Sequence, residues 1–243
     1  MLIFLEVIMK KIKELILSLT LFEKLLWTVS VSSVIISYFA FQSDKIFTII
    51  ASVIGLTALV FCAKGHPFGQ VLIILFSAFY GVVSFSQRYY GEMITYLGMS
   101  TPMAVMSLIS WMKNPFGNSH EVKVNRLTKK HITAVLLLSS LVAVGFYFIL
   151  KALGNASLIT STVSVFTSFL AASLTFLRSP YYALAYASND IALIILWVVA
   201  SVQDISSIPM VICFTMFLIN DTYGFINWQR MRKRQDMFFD ENL

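Results

Sequence analysis

Residues 175–227 read TFLRSPYYALAYASNDIALIILWVVASVQDISSIPMVICFTMFLINDTYGFIN, two long apolar runs interrupted by amides and carboxylates. The interruptions are Asn189 and Asp190 in the first run and Asn220 and Asp221 in the second. Ionisable groups inside membrane-spanning segments are costly, and they usually face the protein interior or a wet cavity. This stretch therefore predicts membrane helices that form part of the wall of a pathway for a polar solute.

The composition agrees with a membrane protein. Of 243 residues, 58% are hydrophobic and 12% are charged, whereas an ordinary soluble domain has about 45–50% and about 25%. The net charge of +6 does not indicate a nucleic-acid partner, because Lys and Arg lie between the apolar runs and at the chain ends. That distribution is typical of oriented membrane helices, so we expect a polytopic, all-α membrane protein.

Motifs for catalysis and metal binding are missing from the sequence. Cys62 and Cys213 lie in apolar runs without a Cys-x-x-C pattern, and the three histidines lack a metal-binding spacing. Asp190 and Asp221 resemble only weakly the acid pair of an intramembrane aspartyl protease. We therefore expect no enzyme activity, no cofactor and no metal.

Eight runs are long enough to cross a bilayer core, which takes about 20 residues. They are 25–42, 46–63, 67–87, 92–112, 132–150, 157–177, 181–203 and 205–229. The run 25–42 is the weakest because serines dilute it. Residues 1–24 have apolar side chains at helical spacing opposite lysines, which predicts an amphipathic helix in the membrane surface. A cleaved signal peptide is the less favoured alternative, since no small-x-small site follows.

The segment 113–131 divides a single membrane domain, residues 1–243, into halves. It carries five Lys or Arg residues, which favour a cytoplasmic loop in a protein of the inner cell membrane. Four predicted spans on each side place both termini in the cytoplasm, and the basic tail 230–243 agrees with this orientation.

The two halves resemble each other. Pro67 and Pro180 each open a run after a basic residue, and the next run in each half ends near Trp111 or Trp228. This pattern predicts a parallel repeat, 46–112 and 157–229, joined by a linker helix at 132–151, with 25–42 as an extra span. Alternatively, each tryptophan is simply an anchor at the membrane interface.

Polar and aromatic side chains fall on shared faces of the predicted helices, since positions i, i+4 and i+7 align. Aromatic rings stack on flat rings and attract cations, amides bind hydroxyl or amide groups, and a carboxylate offsets a positive charge. We therefore predict a site for a neutral or cationic ring-bearing solute, formed by Phe76, Tyr80, Tyr96, Asn189, Asp190, Trp197, Asn220, Tyr223 and Asn227.

Other interpretations of the polar residues stay open. Ser and Asn also join membrane helices by hydrogen bonds, and we favour that role for the serines within 30–37, 139–140 and 161–168. Asp190 lies near mid-depth and Asp221 nearer the end of its run, so Asp190 is the stronger site candidate. It is also a candidate proton relay. If the polar residues only join helices, the protein is a non-transporting membrane scaffold.

Several segments are similar to the PnuC family of vitamin transporters, best known for nicotinamide riboside uptake. The resemblance covers about residues 46–234 and is most specific in NDTYGFINW at 220–228. The other matching segments are Ala63-Lys64-Gly65, Tyr90-Gly91-Glu92-Met93, Pro102-Met103, Ser110-Trp111, and Asn189-Asp190 with Trp197.

The resemblance implies both a fold and a function. The fold would be SWEET-like, two three-helix bundles joined by one helix, in a homotrimer with one central site per chain. The function would be facilitated diffusion of nicotinamide riboside by alternating access, with Asp190 opposite the pyridinium charge. Ala104 stands where the family often has glutamine, so thiamine, riboflavin and deoxynucleosides stay open as alternative substrates.

Overall fold

The computed structural model describes residues 14–15, 17–41, 46–86, 93–155 and 157–240, and it is almost entirely helical there. We number the α-helices in chain order and name the π-helix Ile94–Ser100 separately. The α-helices are α1 (Leu21–Ala40), α2 (Ile46–Ala63), α3 (Phe68–Ser86), α4 (Thr101–Lys113), α5 (Lys129–Ala152), α6 (Leu158–Phe176), α7 (Tyr182–Gln203) and α8 (Ile208–Asp240). Most of the predicted surface segment 1–24 lies outside the described residues.

Within the described residues, six helices are long and apolar enough to cross a membrane. They are α1, α2, α5, α6, α7 and the helical segment Ile205–Phe239. The prediction of an all-α membrane protein is confirmed, whereas the count of eight spans stays a prediction. The run 92–112 falls short because the π-helix interrupts it just before Pro102, whose ring nitrogen has no hydrogen to donate.

The ends of two helices differ from the sequence-based boundaries. Helix α1 begins at Leu21 because Thr20 and Glu23 form a capping box, in which each side chain accepts from the other residue's backbone N–H. Helix α8 continues to Asp240, so residues 230–240 of the predicted tail are helical. Gln235 ties this extension to the chain before α5, since it accepts from Val124 N–H and donates to Val122 O.

The helices form two groups of three with the same internal order of packing. Helix α3 packs between α2 and α4, and α7 packs between α6 and α8. Between the groups, α2 packs on α8 and α4 packs on α6. This set of contacts is unchanged when the two groups are exchanged. Helix α1 packs on α2 and α8, and α5 packs on α6.

A pair of buried tryptophans joins the groups at one end, which we call the loop end. Trp111 Nε1 donates to Thr175 O at 2.9 Å, and Trp228 Nε1 donates to Cys62 O at 2.8 Å. Their ring centroids lie 5.3 Å apart and both side chains are 0% exposed. The interpretation of these residues as interfacial anchors is therefore wrong: each indole satisfies a helix carbonyl of the opposite group.

The segment 114–128 crosses the loop end and contacts both groups. Val122 N–H donates to Gly65 O and Asn125 N–H donates to Arg178 O, each at 3.0 Å. Gly65 and Arg178 lie 113 residues apart, the separation of Pro67 from Pro180. Both adopt left-handed backbone, with φ of 65° and 57°, which ends α2 and α6 in the same way.

Candidate functional site

A cavity of about 180 Å³ lies between the two helix groups. One water takes about 30 Å³ of liquid volume, so the cavity has room for a ring-sized solute. Its walls come from α2, α3, the π-helix, α6, α7 and α8, with Leu150 and Asn155 at the edge. Six of the nine predicted site residues line it: Phe76, Tyr80, Tyr96, Asn189, Asp190 and Trp197.

The first helix group provides an aromatic wall. The Tyr80 and Tyr96 ring centroids lie 4.6 Å apart, and Phe76 lies 5.9 Å from each of them. Phe217 of α8 continues the cluster at 6.3 Å from Phe76. The π-helix turns Tyr96 to this wall, and π-helical turns are often found at functional sites. Faces of such rings stack on planar solutes and attract positive charge.

The second group provides a polar wall. Asn189 Oδ1 accepts from Ser164 Oγ at 2.8 Å and lies 3.0 Å from Thr167 Oγ1. Ser161, Ser164 and Ser168 of α6 all line the cavity. The sequence predicts a helix-joining role for these serines, and Ser164 does bridge α6 to α7. Their i, i+3, i+7 spacing is the sequence signal that places all three on one face.

Two buried carboxyl groups complete the polar wall. Asp190 is 3% exposed and Asp221 is 4% exposed, both line the cavity, and the two carboxyl groups are close enough to interact. A hydrogen bond between them would need a proton on one of the two carboxyls, because ionised carboxylates only accept. From its depth in the apolar run, Asp190 is predicted to be a stronger site residue than Asp221. In the fold, both acids line the same cavity.

One oxygen of this acid pair has no hydrogen-bond donor among the described residues. Asp190 Oδ2 is buried and has no hydrogen-bond partner among the described residues. The described residues that line the cavity include no Lys, Arg or His. The acid pair therefore places two carboxyl groups in a cavity without basic side chains among its described lining residues, and one of their oxygens has no donor.

The other three predicted site residues lie outside the cavity. Asn220 Nδ2 donates to Ser30 Oγ of α1, and Tyr223 Oη donates to Glu23 Oε1 at 2.9 Å. Asn227 Nδ2 donates to Ala63 O at the end of α2. Helical phase correctly placed the three on one face, but that face packs on α1 and α2.

Sequence reasoning also missed several lining residues. Gln70 is 3% exposed and lines the cavity, and its Nε2 donates to Cys62 Sγ. Tyr186 lines the opposite wall. Both residues lie on the predicted helix faces when these are continued toward the N-terminus of each helix. Gln70, Ser77 and Tyr80, for example, stand at positions i, i+7 and i+10 of α3. Ala104, the departure from the family pattern, is buried outside the cavity.

The two repeats line the cavity at equivalent positions, but the side chains at these positions differ in chemistry. At an offset of 113 residues, four positions of α3 and four of α7 line the cavity in pairs. The pairs are Ile73 with Tyr186, Phe76 with Asn189, Ser77 with Asp190, and Tyr80 with Leu193. Equivalent backbone positions thus carry different side chains, most clearly where Phe76 of α3 corresponds to Asn189 of α7 and Ser77 to Asp190.

Membrane helices in two matched groups around a partly polar cavity define the class of solute transporters, whose sites commonly lie where repeats meet. A sequence profile described as nicotinamide mononucleotide transporter matches residues 45–230. The chain therefore belongs to the nicotinamide mononucleotide transporter family. Helix α1 lies before the matched region.

Relatives and a solved structure agree with this assignment and confirm the resemblance to PnuC proteins. The nicotinamide riboside transporter PnuC of Neisseria mucosa is 29% identical over 202 residues, 81% of this chain and 76% of that protein. The one of Haemophilus influenzae is 24% identical over 195 residues, 79% and 82% of the two chains. A crystal structure of the vitamin B3 transporter PnuC superposes with a TM-score of 0.76 at 27% identity, covering 90% of this chain and 94% of that one.

Proposed function

We propose that this chain carries nicotinamide riboside across the membrane by facilitated diffusion. The relatives in Neisseria mucosa and Haemophilus influenzae are nicotinamide riboside transporters. The observation that carries the proposal is the Asp190–Asp221 pair opposite an aromatic wall, in a cavity whose described lining residues include no basic side chain. A pyridinium ring would stack on the aromatic wall while the acid pair offsets its positive charge.

The same charges favour the riboside over the mononucleotide for which the family is named. A phosphate group is usually bound by Arg, Lys or a row of backbone N–H groups. Here the described lining residues offer two carboxyl groups instead, and a negatively charged phosphate would be repelled by them. The nucleoside without its phosphate is therefore the better fit.

The roles that we propose for individual residues follow the cavity walls. Phe76, Tyr80, Tyr96 and Trp197 enclose the ring. The hydroxyls of Ser161 and Ser168 bind the ribose. Asn220, Tyr223 and Asn227 hold α8 against α1 and α2 in place of contacting the solute.

We also infer a SWEET-like architecture in which all eight helices cross the inner membrane, with both termini and the segment 114–128 in the cytoplasm. The exchangeable packing of the two helix groups supports the repeat, and the basic residues of the loop support the orientation. Rocking of the groups about the cavity gives alternating access. A homotrimer is the assembly that the resemblance implies.

Thiamine is the second candidate substrate, because it also carries a flat cationic ring that the acid pair would favour. Riboflavin and deoxynucleosides are neutral, so they gain no charge attraction from Asp190 and Asp221.

Binding and uptake with three ligands test the proposal. We expect calorimetry on the purified full chain to show tight binding of nicotinamide riboside, with nicotinamide mononucleotide weaker on the order of 100-fold because of charge repulsion. Proteoliposomes should take up the riboside saturably. The variant Asp204→Asn removes an exposed acid outside the cavity and should behave like wild type. Binding of thiamine without the riboside would overturn the substrate, and an absence of saturable uptake would favour a scaffold.

A further inference from the structure

The unused Asp190 oxygen and the neighbouring amide of Asn189 form a donor and acceptor pair on consecutive residues of α7. Asp190 Oδ2 is buried, and the described residues offer it no hydrogen-bond donor. A buried acceptor without a partner is unfavourable, and more so when it is charged. The oxygen is thus suited to a ligand that brings its own N–H or O–H group.

The orientation of Asn189 is set by its neighbours. Ser164 Oγ donates to its Oδ1 at 2.8 Å, and this oxygen also lies 3.0 Å from Thr167 Oγ1. An asparagine side chain has one carbonyl oxygen and one NH₂ group. Because the oxygen is held by α6, the NH₂ group is left as the donor that Asn189 offers to the cavity.

A primary carboxamide is the chemical complement of this pair. Its carbonyl oxygen accepts a hydrogen bond and its NH₂ group donates one, so it matches Asn189 Nδ2 and Asp190 Oδ2 together. A carboxylate at the same ring position has no hydrogen to give Asp190 and carries a like charge. Asp190 Oδ2, which has no donor among the described residues, can accept from the NH₂ group of the carboxamide.

We propose that Asp190 and Asn189 are the specificity-determining residues that select a ring carboxamide over the corresponding carboxylate. The proposal rests on the proposed transport of nicotinamide riboside and adds how the site rejects nicotinic acid riboside. Phe76 and Ser77, which occupy the equivalent positions of α3, cannot supply this pair of groups. Asp190 contacts the substrate carboxamide, while Ser164 is a positioning residue that acts through Asn189.

The experiment compares three ligands on the purified full chain: nicotinamide riboside, nicotinic acid riboside and 3-acetylpyridine riboside. The acetyl compound keeps the carbonyl oxygen and replaces NH₂ by a methyl group of similar size. Wild type should bind the acid on the order of 100-fold more weakly than the amide, and the acetyl compound about 10-fold more weakly, because Asp190 is left unpaired.

The variant Asp190→Asn separates this inference from simple loss of binding. Asparagine at this position can donate to a carboxylate, so the amide should weaken, the acid should strengthen, and the ratio between them should fall at least about 10-fold. Ser164→Ala should lower amide affinity by several-fold because Asn189 is no longer oriented. Asp204→Asn, outside the cavity, should keep the wild-type ratio.

The outcomes distinguish this inference from the proposed function. Tight riboside binding with an unchanged ratio in Asp190→Asn, or equal affinity of wild type for the amide and the acetyl compound, overturns the inference and leaves the function standing. The ligand series on wild type decides the question even if Asp190→Asn does not fold. If wild type binds none of the ribosides, the proposed function fails and the selectivity with it.

Discussion

The loop end and the cavity differ in how far the two halves of the chain have diverged. At the loop end, Trp111 and Trp228 make the same hydrogen bond to the opposite group, at 2.9 and 2.8 Å. In the cavity, equivalent positions carry different chemistry, as Phe76 and Asn189 do. Closure of two helix groups against each other demands matched geometry, whereas a solute with an apolar ring and polar substituents demands two unlike walls.

The match between the two halves at the loop end extends to the residue before each tryptophan. Ser110 Oγ donates to Phe176 O, and Asn227 Nδ2 donates to Ala63 O, so each tryptophan is preceded by a side chain that bonds the next carbonyl of the same helix end. The pattern survives a change from hydroxyl to amide. We conclude that the hydrogen-bond geometry, more than the residue type, is what the loop end requires.

Truncating either tryptophan should have the largest effect. Trp111→Ala and Trp228→Ala each remove a fully buried ring and a hydrogen bond, so each should cost about 3–5 kcal/mol of unfolding free energy. Thermal unfolding of the purified protein in detergent measures this loss. The two rings touch, so the double variant should cost less than the sum of the two.

Matched phenylalanine variants test the symmetry itself. Trp111→Phe and Trp228→Phe keep an aromatic ring and remove the indole donor, which should cost about 1 kcal/mol in each half. If one variant is neutral while the other strongly destabilises the protein, the two tryptophans do not contribute equally to stability. The symmetry of the loop end would then hold for its geometry and not for its energetics.

Changing the aromatic wall should affect binding more than stability. Phe76→Leu removes a ring that we assign to stacking, so nicotinamide riboside should bind about 10-fold more weakly, equivalent to loss of about 1–2 kcal/mol. The matched control is Phe85→Leu on the same helix, where the side chain is 59% exposed. Calorimetry on both variants checks the prediction, which fails if both lose affinity equally.

The smallest expected effect concerns pH at the turns before α3 and α7. His66 Nδ1 accepts from Phe68 N–H at 3.1 Å, and the equivalent Ser179 Oγ accepts from Tyr181 N–H at 3.4 Å. Burial, with His120 and Lys64 nearby, lowers the pKa of His66 to about 4 from its usual 6.5. Of these two equivalent side chains, only His66 of the first half can titrate.

The sign of the pH effect follows from this lowered pKa. Between pH 6.5 and 4 the unfolded chain binds a proton at His66 more readily than the folded chain, so this contribution to stability is complete above 6.5 and falls as the pH approaches 4. The variant His66→Ser copies the second half and should flatten this part of the profile of unfolding temperature against pH. An unchanged profile would assign the acid sensitivity to other groups.

Much of the helix content was predictable because apolar runs of about 20 residues have few alternatives in a bilayer. The boundaries at α1 and α8 were not, since they depend on the capping by Glu23 and on contacts of Gln235 with a distant loop. Periodicity also grouped Asn220, Tyr223 and Asn227 on one face. It could not tell that this face meets α1 and α2.

The sequence by itself determined a membrane protein of two similar halves, with acids and aromatics within its helices, because hydrophobicity and helical phase are local properties of the chain. Only the tertiary structure decided that Asp190 and Asp221 meet at one cavity and that Trp111 and Trp228 are buried between the groups. Residues far apart in sequence become neighbours through helix packing, which no local pattern encodes. The stretch 175–227 thus indicated the polar wall, and the fold selected which of its polar residues face the solute.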